Sequence, residues 1–182
     1  MNKQSYFIPV GKGRLTLFHR PGGKAYQQLV AQGCTHVVTL MRASEGAEGI
    51  GQSVEARGMR WLWVQVPNGD YPRGEVHEQL LAGIECVSGW LDEGASVLIH
   101  CSAGIHRTGM FAYGLLRWRG LSPEAALEQI GRMREQTRAG ILARHIRWGN
   151  ENAREAPKQE TKWTDSINVF AKHWLTKIFR PR

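Results

Sequence analysis

The sequence predicts an α/β fold in which helices flank a central, mostly parallel sheet of four or five strands. Three observations support this prediction. Short runs of β-branched or aromatic residues recur along the first hundred positions, runs with apolar residues at helical spacing lie between them, and glycine, proline or polar residues separate the two kinds. Strands that alternate with helices are typical of an α/β domain with a largely parallel sheet.

Four runs predict the strands because each is short, rich in strand-forming residues and bounded by turn-forming or polar residues. They are RLTLF at 14–18, THVVTL at 35–40, RWLWVQV at 60–66 and ASVLIH at 95–100.

Six runs predict helices. They are KAYQQLVAQG at 24–33, the weaker EGIGQSVEARG at 48–58, GEVHEQLLAGIECVSGWLDEG at 74–94, RTGMFAYGLLRWRG at 107–120, SPEAALEQIGRMREQ at 122–136 and GILARHIRWGNENAR at 140–154. The fifth has a clear start signal, since Ser122 is suited to an N-cap and Pro123 to the first helical position.

The overall composition predicts a folded chain with an affinity for anions. Of the 182 residues, 42% are hydrophobic and 22% are charged, and the formal net charge is +8. The +8 charge attracts nucleic acid, acidic lipid and phosphorylated substrates alike, so it does not choose among them. No window approaches the roughly 18 apolar residues of a membrane span, and the start MNKQSYFIPVGKG lacks the apolar core of a signal peptide. We therefore expect a cytoplasmic protein.

The chain has three cysteines, Cys34, Cys86 and Cys101, at unrelated spacings and without a CxxC pair. An odd number without such a pair argues against a disulfide framework and against a structural zinc site. Cys34 and Cys86 fit core positions. Whether either of them forms a disulfide with Cys101 stays open at this stage.

A change of composition near EAPKQET, residues 155–161, predicts a linker, so we divide the chain into a domain at 1–155 and a tail at 156–182. The tail carries a net charge of +4 over residues 157–182 and an aromatic-rich stripe at helical spacing between 163 and 180. The stripe fits a basic helix that docks on its own domain, or one that lies on an anionic membrane or a partner protein.

The stretch IHCSAGIHRTG, residues 99–109, concentrates reactive groups where a predicted strand gives way to a predicted helix. A loop in that position directs backbone N–H groups toward one point, where they can hold an anion. Gly104 and Gly109 allow tight curvature. Cys101 at the start of the loop is favoured as a thiolate, and the planar guanidinium of Arg107 can bind two phosphate oxygens at once.

The segment HCSAGIHRT, residues 100–108, resembles the H-C-x5-R-[S/T] signature of the cysteine-dependent protein tyrosine phosphatase superfamily. The run RGLSPEAALEQIGRMREQTRAGIL, residues 119–142, is similar to the helical segment that follows the signature in small dual-specificity phosphatases. The length of the chain also fits that compact branch better than the larger tyrosine phosphatase domain. One departure is His106, which stands where these relatives usually carry glycine.

The resemblance implies a role for each residue of the signature. Cys101 is the nucleophile, Arg107 binds the phosphate, Thr108 stabilises the departing sulfur, and His100 orders the loop by hydrogen bonding. The remaining residues implied to form the phosphate-binding loop are Ser102, Ala103, Gly104, Ile105 and His106.

The family's general acid is an aspartate about thirty residues before the cysteine, and VPNGDYP supplies Asp70, thirty-one residues before Cys101. Asp70 follows the third predicted strand, so its loop leaves the same edge of the sheet as the loop that carries Cys101. Asp92 lies within a predicted helix and Glu75 begins it, which makes both weaker candidates.

The expected function is hydrolysis of phosphotyrosine, and also of phosphoserine or phosphothreonine, in proteins or peptides through a cysteinyl-phosphate. No metal or other cofactor is required, and no nucleic-acid partner is expected. Two alternatives stay open: hydrolysis of a non-protein phosphoester, such as a phosphoinositide or an RNA 5′-phosphate, and a catalytically silent phosphoprotein-binding module. A metal site and a sulfur transferase are disfavoured, the first by the ligand geometry and the second by the Arg-Thr ending of the loop.

Overall fold

The computed structural model describes residues 7–154 as a five-stranded sheet flanked by helices. The strands are β1 (Ile8–Val10), β2 (Gly13–Phe18), β3 (His36–Thr39), β4 (Arg60–Trp63) and β5 (Ser96–His100). Their order across the sheet is β1-β2-β5-β3-β4, and only β1 and β2 are antiparallel to each other. The predicted fold class is confirmed.

All six predicted helical runs contain helices. These are α1 (Gly23–Ala31), α2 (Ala47–Glu55), α3 (Gly74–Asp92), α4 (His106–Trp118), α5 (Pro123–Met133), α6 (Glu135–Ala139) and α7 (Ala143–Glu151), with a 3₁₀ turn at Ala43–Glu45. The hydroxyl oxygen of Ser122 accepts a hydrogen bond from the backbone N–H of Ala125 at 3.2 Å. Ser122 is therefore the predicted N-cap.

Three differences from the prediction concern which elements form or how far they extend. Strand β1 was not predicted, because it has only three residues and contains Pro9. Strand β4 ends at Trp63 rather than at residue 66, because its partner β3 ends at Thr39, which pairs with Trp63. The run at 122–136 forms two helices, since the backbone of Arg134 is extended, at φ −164° and ψ 105°.

Strand β5 lies at the centre of the sheet and leads directly into the loop that contains Cys101. All five residues of β5 are buried, and the strand pairs in parallel with β2 on one side and β3 on the other. Thr39 and Phe18 both pair with His100, so β2, β3 and β5 end at one edge. The loops that leave those strands consequently meet there.

All three cysteines are free thiols, and Cys86 lies on α3. The Cys34 sulfur contacts the backbone oxygen of Ser96 at 3.6 Å, at the start of β5, whereas Cys101 follows the end of that strand. Five strand residues span roughly 16 Å, far more than a disulfide can bridge. Cys34 and Cys101 therefore cannot pair in this fold.

The predicted linker at 155–161 and the stripe at 163–180 lie outside the described residues. Within residues 7–154, no helix has the length and apolar character needed to cross a lipid bilayer.

Candidate active site

The residues from Cys101 to Arg107, here called the cradle loop, connect β5 to the first turn of α4. The loop curves at Gly104, whose φ of +69° lies in the left-handed region that favours glycine. The Gly104 backbone N–H donates to the Cys101 sulfur at 3.2 Å. The loop thus directs an amide dipole at the sulfur.

The orientation of that amide is fixed from behind. The Gly104 carbonyl oxygen accepts hydrogen bonds from the Arg134 guanidinium at 2.5 Å and from the Thr137 hydroxyl at 2.6 Å. A Cβ at Gly104 would overlap the backbone oxygen of Phe18 at the end of β2. The break between α5 and α6 at Arg134 therefore has a structural consequence, because it brings two donors to the back of the cradle loop.

Arg107 is held by an acidic residue that the sequence reasoning missed. Its Nη1 donates to one carboxylate oxygen of Glu45 at 2.7 Å and its Nη2 to the other at 2.8 Å. The guanidinium also donates to the Val66 carbonyl at 3.1 Å and the Ser102 hydroxyl at 3.2 Å. Arginine has five N–H donors, and these contacts occupy four of them. The guanidinium also interacts with the Cys101 sulfur, and a bound anion can displace Ser102 from Nη2.

The Glu45 and Arg107 charges stabilise each other. Hydrogen bonding to Arg107 holds the pKa of the Glu45 carboxyl well below its usual range. The same pair raises the pKa of Arg107, to which the nearby Cys101 sulfur also contributes. The signal that could have found Glu45 is its place just after β3, at the sheet edge where the cradle loop begins.

His100 ties the cradle loop to the sheet by a chain of hydrogen bonds. The indole N–H of Trp61 donates to the Thr39 hydroxyl at 2.9 Å, and that hydroxyl lies 2.9 Å from His100 Nε2. His100 Nδ1 lies 3.2 Å from the Cys101 carbonyl oxygen, which can only accept, so the proton of the neutral ring is on Nδ1 and Nε2 accepts from the Thr39 hydroxyl. Complete burial lowers the pKa of His100 to about 4, so the ring is neutral near pH 7.

The other predicted loop residues occupy different environments. The Ser102 hydroxyl donates to Glu45 at 2.7 Å, Ala103 is exposed, and Ile105 lies against Gly140. Thr108 is fully buried, and its hydroxyl oxygen has no hydrogen-bond partner among the described residues. His106 is exposed at the start of α4.

Asp70 lies in a loop at residues 67–73, here called the Asp70 loop, between β4 and α3. Its side chain is 70% exposed and faces Arg144, with 3.6 Å between the carboxylate oxygen and the guanidinium nitrogen. The loop lies beside the cradle loop, because Arg107 bonds to Val66 just before it and a Cβ at Gly69 would lie 2.7 Å from the His106 Cβ.

The two weaker acidic candidates are engaged elsewhere. Asp92 ends α3 and pairs with Arg119 at 2.7 Å, just after the C-terminal end of α4. Glu75 accepts a hydrogen bond from Gln79 within α3.

The Cys101 sulfur, the Arg107 guanidinium and the Gly104 amide meet at the N-terminal end of α4. This arrangement can hold a tetrahedral dianion.

Solved structures of phosphatases share this fold. Tk-PTP in its active form is 26% identical, with a TM-score of 0.64, and the match covers 84% of this chain and 97% of that one. PTPMT1 in complex with PI(5)P is 19% identical over 80% of this chain and 92% of its own, with a TM-score of 0.64. Human DUSP28 is 19% identical over 80% and 96%, with a TM-score of 0.59. No curated protein sequence matches the chain.

The fold and these likenesses define the class: a phosphatase of the cysteine-based superfamily, small and similar to the dual-specificity branch. A family model narrows the class further. Residues 15–121, more than half of the chain, match the model described as "Tc-R-P: Polymorphic toxin system, DSP-PTPase phosphatase". The chain belongs to that family.

Proposed function

We propose that this phosphatase hydrolyses phosphotyrosine, and also phosphoserine or phosphothreonine, in proteins through a cysteinyl-phosphate intermediate. One observation carries the proposal: the Cys101 sulfur, the inward Gly104 amide and the Glu45-bound guanidinium of Arg107 belong to one short loop. A phosphate dianion in that loop meets a nucleophile and donors for its oxygens at the same time.

In the first step, the Cys101 thiolate attacks phosphorus in line with the leaving oxygen. A sulfur–phosphorus bond forms as the phosphorus–oxygen bond breaks, and Asp70 gives its proton to the leaving oxygen. The cradle amides and Arg107 bind the equatorial oxygens as their charge redistributes.

In the second step, the Asp70 carboxylate takes a proton from a water molecule, whose oxygen attacks the cysteinyl-phosphate. Inorganic phosphate leaves and the Cys101 thiolate is restored. The Thr108 hydroxyl is assigned to the departing sulfur, a role supported by its lack of another partner among the described residues. His100 keeps the Cys101 carbonyl in place through its Nδ1–H.

A monophosphate substrate is favoured by the side chains within the cradle loop. Phosphatases of inositol lipids resemble this pattern but carry lysines in the loop for the extra phosphates. Here Ser102 is bound to Glu45, and Ile105 lies against Gly140. Neither position brings a cation to a second phosphate group.

The second candidate is hydrolysis of a phosphoinositide. Its support is the structural neighbour PTPMT1, which was solved with PI(5)P, together with the formal net charge of +8. Parallel measurements on phosphotyrosyl, phosphoseryl and phosphothreonyl peptides and on soluble phosphoinositides distinguish the two candidates. Higher kcat/KM on the peptides supports the first candidate, and higher kcat/KM on PI(5)P would replace it with the second.

The nucleophile is tested by Cys101→Ser. We expect p-nitrophenyl phosphate turnover to fall by at least about 10³-fold, because a serine hydroxyl in this loop has no general base. Cys34→Ser is the matched control, since that thiol lies at the other end of β5. Phosphate binding and circular dichroism should show that the Cys101→Ser variant stays folded. Residual turnover near the wild-type rate would refute the assignment.

A further inference from the structure

The Asp70 loop is held by side chains of α7. The Gly69 carbonyl, one residue before Asp70, lies 2.7 Å from His145 Nε2 and accepts from Arg144 Nε at 2.8 Å. The Tyr71 hydroxyl, one residue after Asp70, donates to Glu151 at the far end of α7. One helix therefore contacts both neighbours of the proposed proton donor.

The hydrogen bonds of His145 define which of its ring nitrogens carries the proton. The backbone N–H of Leu142 donates to His145 Nδ1 at 3.2 Å, so that nitrogen is unprotonated. The proton of the neutral ring is then on Nε2, where it is donated to the Gly69 carbonyl. His145 is 0% exposed, and burial lowers its pKa, which keeps the ring neutral.

Gly69 is also confined by His106. A Cβ at Gly69 would lie 2.7 Å from the Cβ of His106 and 3.6 Å from Nε2 of His145. The residue before Asp70 thus lies close to both the first residue of α4 and the buried imidazole of α7. This contact gives a structural reason for a glycine at 69, because any residue other than glycine at 106 carries a Cβ.

Arg144 and His145 bind the same carbonyl but differ in how well they are fixed. The Arg144 side chain is 44% exposed, and its partner Asp70 is 70% exposed. An exposed pair of this kind is screened by water and salt. The ring of His145 has no solvent exposure and has a partner at each nitrogen, so it is the rigid contact.

We propose that His145 is a positioning residue for proton transfer: its Nε2–H fixes the Gly69 carbonyl and thereby sets the Asp70 carboxyl beside the cradle loop. This inference rests on the proposed role of Asp70 as the proton donor. Loss of the His145 contact then slows only those reactions whose leaving group needs a proton.

The test compares kcat/KM for phenyl phosphate, whose leaving group needs protonation, with kcat/KM for 2,4-dinitrophenyl phosphate, whose leaving group does not. The ratio kcat/KM reports the phosphorylation of cysteine and excludes the later hydrolysis step. Asp70→Ala sets the scale, with an expected loss of about 10²-fold on phenyl phosphate and little loss on the activated ester.

Two substitutions separate the contacts of His145. In His145→Asn, the amide oxygen can still accept from the Leu142 N–H, but the side chain is too short to reach Gly69. In His145→Gln, the longer amide can donate to the Gly69 carbonyl again. We expect His145→Asn to lose about 10-fold on phenyl phosphate only, and His145→Gln to recover most of that loss.

Gly69→Ala tests the same contact from the loop side and leaves α7 unchanged, because the added methyl group must push the loop away from His106. It should lose kcat/KM on phenyl phosphate but not on the dinitrophenyl ester. If His145→Asn does not fold, this variant alone tests whether the position of Gly69 matters for proton transfer. The control is His36→Asn, a buried histidine at the far end of β3. That change should lower the thermal stability without altering the ratio between the two substrates.

Equal losses on both esters in His145→Asn and Gly69→Ala would overturn the inference, as would wild-type ratios in both. If Asp70→Ala is selective and these two variants are not, only the role of His145 fails. If Asp70→Ala shows no selectivity, the assignment of the acid fails and the inference fails with it. Identical ratios in His145→Asn and His145→Gln would also overturn it.

Discussion

The cradle loop and the Asp70 loop lie side by side but are held in different ways. The cradle loop is fixed through its backbone: the Gly104 carbonyl bonds to α6 and to the residue before it, and the Ser102 carbonyl accepts from the Arg20 backbone N–H at 3.0 Å. Its charged side chain, Arg107, is bound by both oxygens of Glu45.

The Asp70 loop is held mainly by side chains of α7, and several of these contacts are at the surface. Arg144 and Asp70 are both substantially exposed, as is Glu151, which accepts from Tyr71. The proposed nucleophile and anion donors are thus part of the folded core, whereas the proposed proton donor is held by contacts that can be removed one at a time. Changes in the first region should affect every substrate and changes in the second only some.

Among changes that leave the reacting side chains in place, the largest effect should come from Gly104→Ala. The left-handed φ strains an alanine by about 1–3 kcal/mol, and the added methyl group overlaps the Phe18 carbonyl. The backbone N–H of residue 104 then no longer points at the Cys101 sulfur. We therefore expect kcat/KM to fall by more than about 10²-fold for phenyl and dinitrophenyl phosphate alike, and the melting temperature to fall. Steady-state kinetics and thermal unfolding measure both.

Gly49→Ala on α2 is the matched control, since a Cβ there would meet nothing within 4 Å. It should stabilise the protein by about 0.5–1 kcal/mol with unchanged turnover. A Gly104→Ala variant as active as Gly49→Ala would show that the loop does not need this backbone conformation.

The next effect in size is expected from Glu45→Gln. The amide keeps the shape of the side chain but removes the charge that orients Arg107, so kcat/KM should fall by about 10- to 100-fold on both esters. Glu48→Gln, at an exposed position on α2, should leave both rates near wild type. A loss confined to phenyl phosphate would instead place Glu45 in the proton transfer.

The stability difference between wild type and Glu45→Gln should depend on pH. Folding lowers the pKa of Glu45. Its contribution to the free energy of unfolding is therefore fully present above the ordinary glutamate pKa of about 4.3 and is lost as the pH falls toward the pKa of Glu45 in the folded protein. The difference in melting temperature between wild type and Glu45→Gln should be constant above about pH 5.5 and should shrink below about pH 4. A difference that grew on acidification would contradict the lowered pKa.

The smallest effect should come from Arg144→Gln in the Asp70 loop contact. An exposed ion pair contributes little, so we expect less than about a five-fold loss of kcat/KM on phenyl phosphate and no change on the dinitrophenyl ester. The difference from wild type should narrow at high salt. Arg138→Gln, which removes an exposed pair with Glu135 on α6, is the control. A salt-independent loss on both esters would show that Arg144 does not act through Asp70.

Sequence periodicity was sufficient to predict the alternating strands and helices, because apolar residues that face a core repeat with the period of the element that carries them. The ends of the strands were harder to predict. Strand β4 stops at Trp63 because β3 offers no further partner. The apolar pattern of the run at 60–66 does not reveal the length of the strand beside it. The short strand β1 likewise owes its existence to pairing with β2.

The sequence by itself determined the cradle loop, since the cysteine, the glycine and the arginine are close in the chain and their spacing is local. Only the tertiary structure brought Glu45 to Arg107 across 62 positions and His145 to Gly69 across 76. Such contacts depend on which strand ends meet at one edge of the sheet and on where α7 returns to it. A local pattern carries no information about partners that distant, because their approach is decided by the packing of the whole domain.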